Sequence, residues 1–145
     1  MDDEHSARQT IEQMIADWDT AYADRNPNGI IGHSMPTEQW RVEKCYQSWA
    51  SVMDWTEDAK AHSTIREFCL HGETVTVVAE QKRSFCFRRP LPTYAPIGRV
   101  LLDWFSRFVF VEREVNRSEW SKTPEGWLCE SDKKVSYRLR VQRRS

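Results

Sequence analysis

The stretch Trp120-Ser121-Lys122-Thr123-Pro124-Glu125-Gly126-Trp127 sets two indole side chains around a tight turn. Pro124 suits the first central position of a type I turn, and Gly126 suits the left-handed residue that forms a bulge after it. Downstream, Cys129, Val135, Tyr137, Leu139 and Val141 alternate with Glu130, Ser136, Arg138, Arg140 and Gln142, the period of a strand. Two registers compete for this hairpin. With Thr123 opposite Gly126, Glu114 faces Val135 and Glu112 faces Tyr137. With Gly126 bulged and Thr123 opposite Trp127, Val115 faces Val135, Val111 faces Leu139, Val109 faces Val141 and Glu112 faces Arg138, so pair chemistry favours the bulged register. A one-residue slip exchanges the faces of a strand. The bulged register therefore sends Trp127 to one face with Cys129, Val135, Leu139 and Val141. It sends Trp120 to the other with Phe108, Phe110, Arg138 and Arg140.

Working outward, Ser63 to Leu70 and Thr74 to Phe87 read as antiparallel strands joined by the turn His71-Gly72-Glu73. Arg88 to Gly98 is a proline-dense loop, because prolines cannot donate to a ladder. Arg99 to Trp120 fits another strand with a bend near Trp104 to Ser106, although Leu101, Leu102, Trp104, Phe105 and Phe108 also fit one side of a helix. Upstream, Ser6-Ala7-Arg8-Gln9 fits a capping box ahead of Ile11, Met14, Ile15, Trp18, Ala21 and Tyr22 at helical spacing. That helix should stop near Arg25, since Asn26 precedes Pro27. Met35-Pro36-Thr37 opens a second helix, carrying Val42, Cys45, Tyr46, Trp49, Val52 and Met53 to about Thr56. Helices followed by strands make an α+β layout in a single domain spanning residues 1–145.

A chain of 145 residues can bury a real core, roughly 70% of its unfolded surface. The balance of 21 basic against 22 acidic residues leaves no overall field to select nucleic acid or an anionic membrane. The dispersed cysteines never form C-x-x-C, and the acidic, polar N-terminus lacks the regions of a signal peptide, so a reduced, cytoplasmic protein is expected. Cys69-x-His71 stands alone as a metal pair, and no glycine-rich phosphate loop, nucleophile elbow or H-E-x-x-H occurs. No cofactor, no metal, no nucleic acid and no membrane partner are expected.

The hairpin, with the strand Glu119 to Leu128 and the helix Ile11 to Arg25, resembles the nuclear transport factor 2-like superfamily, and within it the SnoaL-like branch. Members often end in a W-x-K-T-x-x-G-W hairpin. The resemblance implies a cone-shaped, curved antiparallel sheet packed on N-terminal helices, a pocket between them and frequent dimerisation through the sheet. Where many members carry an Asp-Asp or Asp-aromatic element after the first helix, this chain has Gly29 to Pro36, so no catalytic carboxylate carries over at that point. Members include isomerases, cyclases, dehydratases and non-catalytic binding domains.

In the bulged register Arg113 faces inward between Val111 and Val115, opposite Tyr137. It either pairs with a helix carboxylate such as Asp17 or Asp54, or anchors a ligand oxyanion with Tyr137 or Tyr22. His33, in a Gly-Pro-bounded loop, and Asp103, interrupting an apolar run, are candidate bases. Each also fits a plain solvated position. Trp18, Tyr22, Trp40 and Trp49 are candidate pocket walls as well as core residues. The opposite face, with Phe108, Phe110 and Trp120, is the expected homodimer surface. Two functional readings follow. One is an acid-base enzyme, an isomerase, cyclase or dehydratase, acting on a small apolar or carbonyl-containing ligand in an aromatic-lined pocket. The other is a non-catalytic dimerisation or protein-interaction module.

Overall fold

The computed structural model of the protein describes residues 2–26, 44, 54–88 and 104–145. Along the chain run one helix, α1 (Asp2–Ala23), and the strands β1 (Thr56–His71), β2 (Thr74–Phe87), β3 (Phe108–Thr123) and β4 (Gly126–Arg143). Helix α1 starts ahead of the predicted Ser6, helped by Asp3 and Glu4 in its first turn, where acidic groups complement the helix dipole. It ends where predicted. Asn26 N–H donates to the Ala21 carbonyl at 2.9 Å and Arg25 N–H to that of Tyr22 at 3.3 Å, while Arg25 itself turns left-handed at φ 61°. This is a Schellman closure with arginine in the usual glycine place.

The strands form an antiparallel meander in the order β1-β2-β3-β4. The β1–β2 turn is the one read from His71-Gly72-Glu73, with His71 opposite Thr74 and Gly72 at φ 62°. Primed two-residue turns require that left-handed residue. Val75 and Val77 of β2 meet Ile11 of α1 and Trp120 of β3 in the buried core, with Phe68, Leu70, Trp127 and Cys129 packed around them. Helix α1 thus covers one face of a curved sheet, here called inner, and the alternate residues of every strand form the outer face.

The β3–β4 register departs from the expectation. The turn is regular, with Thr123 opposite Gly126 and Lys122 opposite Trp127. The irregularities come later on β4, leaving Glu130 and then Val135 without partners. Between them the predicted register holds, as Arg117 opposite Lys133 attests. Beyond Val135 a second slip sets Val115 against Ser136, Glu112 against Leu139 and Phe110 against Val141. Two bulges let a strand of 18 residues twist and bend with the sheet, which a single bulge at the turn would not do. Consequently Trp120 and Trp127 share the inner face, and so do Leu139 and Val141.

Two further expectations change. Trp104 to Arg107 form a turn, closed by Arg107 N–H on the Trp104 carbonyl at 3.2 Å, so β3 begins only at Phe108; residues 99–103 lie outside the described residues. Most of the expected second helix does too, and β1 already starts at Thr56. Arg144 fastens the end of β4 to the start of β1, donating to Glu57 at 2.9 Å and Asp58 at 2.7 Å, and to the Ser106 carbonyl at 3.3 Å. No helix among the described residues is long and apolar enough to cross a membrane.

Candidate functional site

Cross-strand pairing fixes what the inner face presents beyond the apolar core. Gln81 lies opposite Glu114, Arg83 opposite Glu112, and Phe85 opposite Phe110. On β4 the same face continues with Asp132, Lys134, Tyr137, Leu139 and Val141. The sequence thereby places a polar band across the sheet between an aliphatic end and an aromatic end.

The part of the band on α1, β2 and β3 is largely buried and connected. Asp19 of α1 accepts from Ser63 Oγ at 2.9 Å and from Gln81 Nε2 at 2.7 Å. Gln81 in turn accepts from Arg83 Nη1 at 3.1 Å. Arg83, whose side chain is only 9% exposed, also donates to Glu114 at 3.1 Å and to Glu112 at 3.3 Å. Glu114 takes a further hydrogen bond from Asn116 at 3.2 Å and an ion pair from Lys134 at 3.0 Å. Such pairing is what burial of charge demands, because an uncompensated ion in the interior costs several kcal/mol. Among the described residues, Arg83 Nε is the one buried side-chain polar atom without a hydrogen-bond partner.

Around Arg83 the acids Asp19, Glu112, Glu114 and Asp132 outweigh the bases Arg83 and Lys134. Burial first, and that excess second, shifts the titrating groups. The Asp132 carboxyl is pushed up to about 6, first by its burial and then by the Glu114 charge, although the residue as a whole is exposed. Tyr22 is buried and its hydroxyl is pushed up to about 12, chiefly by desolvation and then by Glu112. Tyr137 reaches about 12 by desolvation and by the 2.6 Å hydrogen bond it donates to Glu112. Both tyrosines therefore stay protonated donors throughout the physiological range.

Next to the band lies an apolar strip. Phe85 stacks on Phe110 with centroids 5.4 Å apart, and Phe87 meets Phe110 edge-on at 5.4 Å. Leu139, opposite Glu112, and Val141, opposite Phe110, extend the strip with about half their surface in water. Exposed apolar side chains on the same face as a buried polar network form a surface with one greasy and one hydrogen-bonding side.

Among the residues expected from the sequence, Tyr137 joins this network through Glu112, Tyr22 lies close enough to feel the charges of Glu112 and Arg83, and Trp18 stacks on Tyr22 at 6.0 Å. Arg113 does not join it. The second slip on β4 leaves Arg113 opposite Arg138 on the outer face, half exposed and paired with Glu80 at 2.7 Å. Phe110 and Trp120, expected on a dimer surface, are instead buried on the inner face, because Trp120 packs with Ile11 under α1. His33, Trp40, Trp49 and Asp103 lie outside the described residues. The sequence reading missed Arg83, Glu112, Glu114 and Asp132. A signal for Arg83 was present: Val75, Val77, Gln81, Arg83 and Phe85 are one alternating series on β2, so a core at Val75 implies an inward arginine.

No family model and no curated protein matches the chain. Solved structures do. The chain is similar to hexachlorocyclohexane dehydrochlorinase LinA-type3 from Novosphingobium barchaimii LL02, with a TM-score of 0.61 at 10% identity, over 94% of this chain and 92% of that one. It is similar to a nuclear transport factor 2-like protein from Shewanella oneidensis MR-1, with a TM-score of 0.58 at 12% identity, over 88% and 97%. The intermembrane space region of chloroplast protein ARC6 gives a TM-score of 0.60 at 12% identity, over 88% and 95%. The likeness is one of fold: an N-terminal helix on a curved antiparallel sheet, as in the nuclear transport factor 2-like protein among these structures.

Proposed function

We propose that the protein holds a small, mostly apolar molecule with a carbonyl or similar polar group against the inner face and moves protons on it without a cofactor. Isomerisation, cyclisation and dehydration are reactions of that kind. The observation that carries this reading is Asp132. A carboxyl pushed up to about 6 both gives and takes protons near neutrality, and it sits on the strand whose Leu139 and Val141 offer apolar contact. Tyr137, half exposed and donating to Glu112 at rest, can redirect its hydroxyl to a ligand oxygen on which negative charge develops. His33 and Asp103, chosen from the sequence, are proposed as further bases.

Proton exchange is the direct test. In D2O with a panel of small ketones, the protein is expected to exchange protons α to the carbonyl, read by NMR, and Asp132→Asn is expected to slow this at least ~10-fold. Exchange untouched by Asp132→Asn but lost in His33→Ala or Asp103→Asn would move the base. Failure of every member of the panel both to bind and to exchange would sink the reading.

A second reading rests on Arg83. Its guanidinium is already engaged by Gln81, Glu112 and Glu114, so the network is largely complete within the chain itself. A non-catalytic binding module would show ligand binding with no exchange. Fold alone does not choose, since the similar structures include both a dehydrochlorinase and a region of a chloroplast protein.

A further inference from the structure

The outer face of the same sheet carries the opposite charge. Pairing sets His62 opposite Lys82, Lys82 opposite Arg113, and Arg113 opposite Arg138, one transverse row across all the strands. The adjacent row holds Lys60, Ser84, Val111 and Arg140. With strands about 4.8 Å apart, the basic row is about 14 Å wide. Like charges directly opposite one another destabilise a sheet. Folding therefore gives no reason for the row. Arg113 shares Glu80 with Arg66, while among the described residues Lys60, Lys82 and Arg138 have no ion-pair partner. Helix α1 packs on the other face, and Val78, Val111 and Val115 lie between the charges.

We propose that this outer face docks an acidic segment of a partner protein, whose Asp and Glu side chains lie along the row His62, Lys82, Arg113 and Arg138. Val78 and Val111, partly exposed between the charges, give such a segment apolar contact as well as charge. A continuous phosphate chain fits less well, because Glu67, Glu80 and Glu119 stand within the patch and the chain's formal charge is −1. A second copy fits less well again, since a two-fold axis through the row would set it against itself.

The probe is a fluorescent poly-glutamate peptide, followed by anisotropy at low and physiological salt. Binding that weakens with salt is expected, with a loss of at least ~10-fold in the double variant Lys82→Glu, Arg138→Glu. Arg8→Glu, the same kind of charge reversal on exposed α1, should leave it unchanged. The neutral pair Lys82→Gln, Arg138→Gln should also lose the peptide without a lower melting temperature, which separates lost binding from lost folding. No binding at low salt, or an equal loss in Arg8→Glu, overturns the proposal. Tighter binding of single-stranded DNA than of the peptide overturns it in favour of nucleic acid. Self-association abolished by the Lys82 and Arg138 substitutions overturns it in favour of a second copy.

Discussion

The two faces of the sheet are made from alternate residues of the same strands, yet they treat charge in opposite ways. On the inner face Arg83 is enclosed and touches Gln81, Glu112 and Glu114. On the outer face Arg113 is half exposed, keeps Glu80, and lies between Lys82 and Arg138. Water accounts for the difference. Where it is excluded, Coulomb terms are large and each charge must find its counterpart; where it is present, like charges can stand in a row at modest cost. Which side of an alternation an arginine falls on thus decides whether its charge is consumed by the fold or remains available to a partner.

The largest expected effect tests that contrast directly. Arg83→Met leaves Glu112 and Glu114 without their common cation and should cost ~3–5 kcal/mol, as removing one partner of a buried pair does. Arg113→Met, which breaks an exposed pair, should cost ~1 kcal/mol or less. Urea denaturation of both variants at pH 7 measures the difference. Equal losses would erase the distinction between the faces.

That distinction was only half legible in the sequence. The β1–β2 hairpin was readable because Gly72 offers a left-handed turn residue and the run that follows it, from Thr74, is rich in Val and Thr. From Val75 onward, counting in twos reaches Gln81, Arg83 and Phe85 on the inner face, a signal that was present but not used. The β3–β4 hairpin was not readable to the same depth, although its turn residues were identified. Its bulges fall at Glu130 and Val135, within the strand, where no glycine or proline marks them. Pair chemistry also misled, because matching Val115 with Val135 looks better than matching it with Ser136, and only the bending of the whole sheet favours the latter. One misplaced bulge then turned Arg113 inward and Trp120 outward. Asp132 was missed for a different reason. Its perturbation comes first from burial against the neighbouring strand and then from the Glu114 charge there, neither of which spacing along β4 reveals.

Asp132 gives the next effect in size. Its carboxyl is raised from the ordinary 3.8 to about 6, so the folded protein holds the proton more tightly than the unfolded chain. The ionised form is therefore penalised by folding: the penalty is absent below about pH 4, grows as pH rises, and is complete above about pH 6. Asp132→Asn removes it. The variant should match the parent in acid and exceed it at pH 7 by ~1 kcal/mol, a figure reduced for the residue's contact with water. Melting curves from pH 4 to pH 8 check this. A variant less stable at pH 7 would mean that the acid excess of the inner face is already compensated, and Asp132 would no longer stand apart from Glu114.

The smallest effect lies on the outer face and carries the opposite sign to the first. Lys82→Gln or Arg138→Gln removes a like-charge neighbour of Arg113 and should stabilise the sheet by a few tenths of a kcal/mol. The gain should shrink in high salt, because exposed charges are screened over about 10 Å at 0.1 M. If the two substitutions were made together, their gains should nearly add, since Lys82 and Arg138 flank Arg113 on separate strands and do not pair with each other. A loss of stability, unchanged by salt, would show that packing of the lysine and arginine stems outweighs repulsion between their heads. In that case the row would have a reason within the fold itself, and the case for an acidic partner would rest on peptide binding alone.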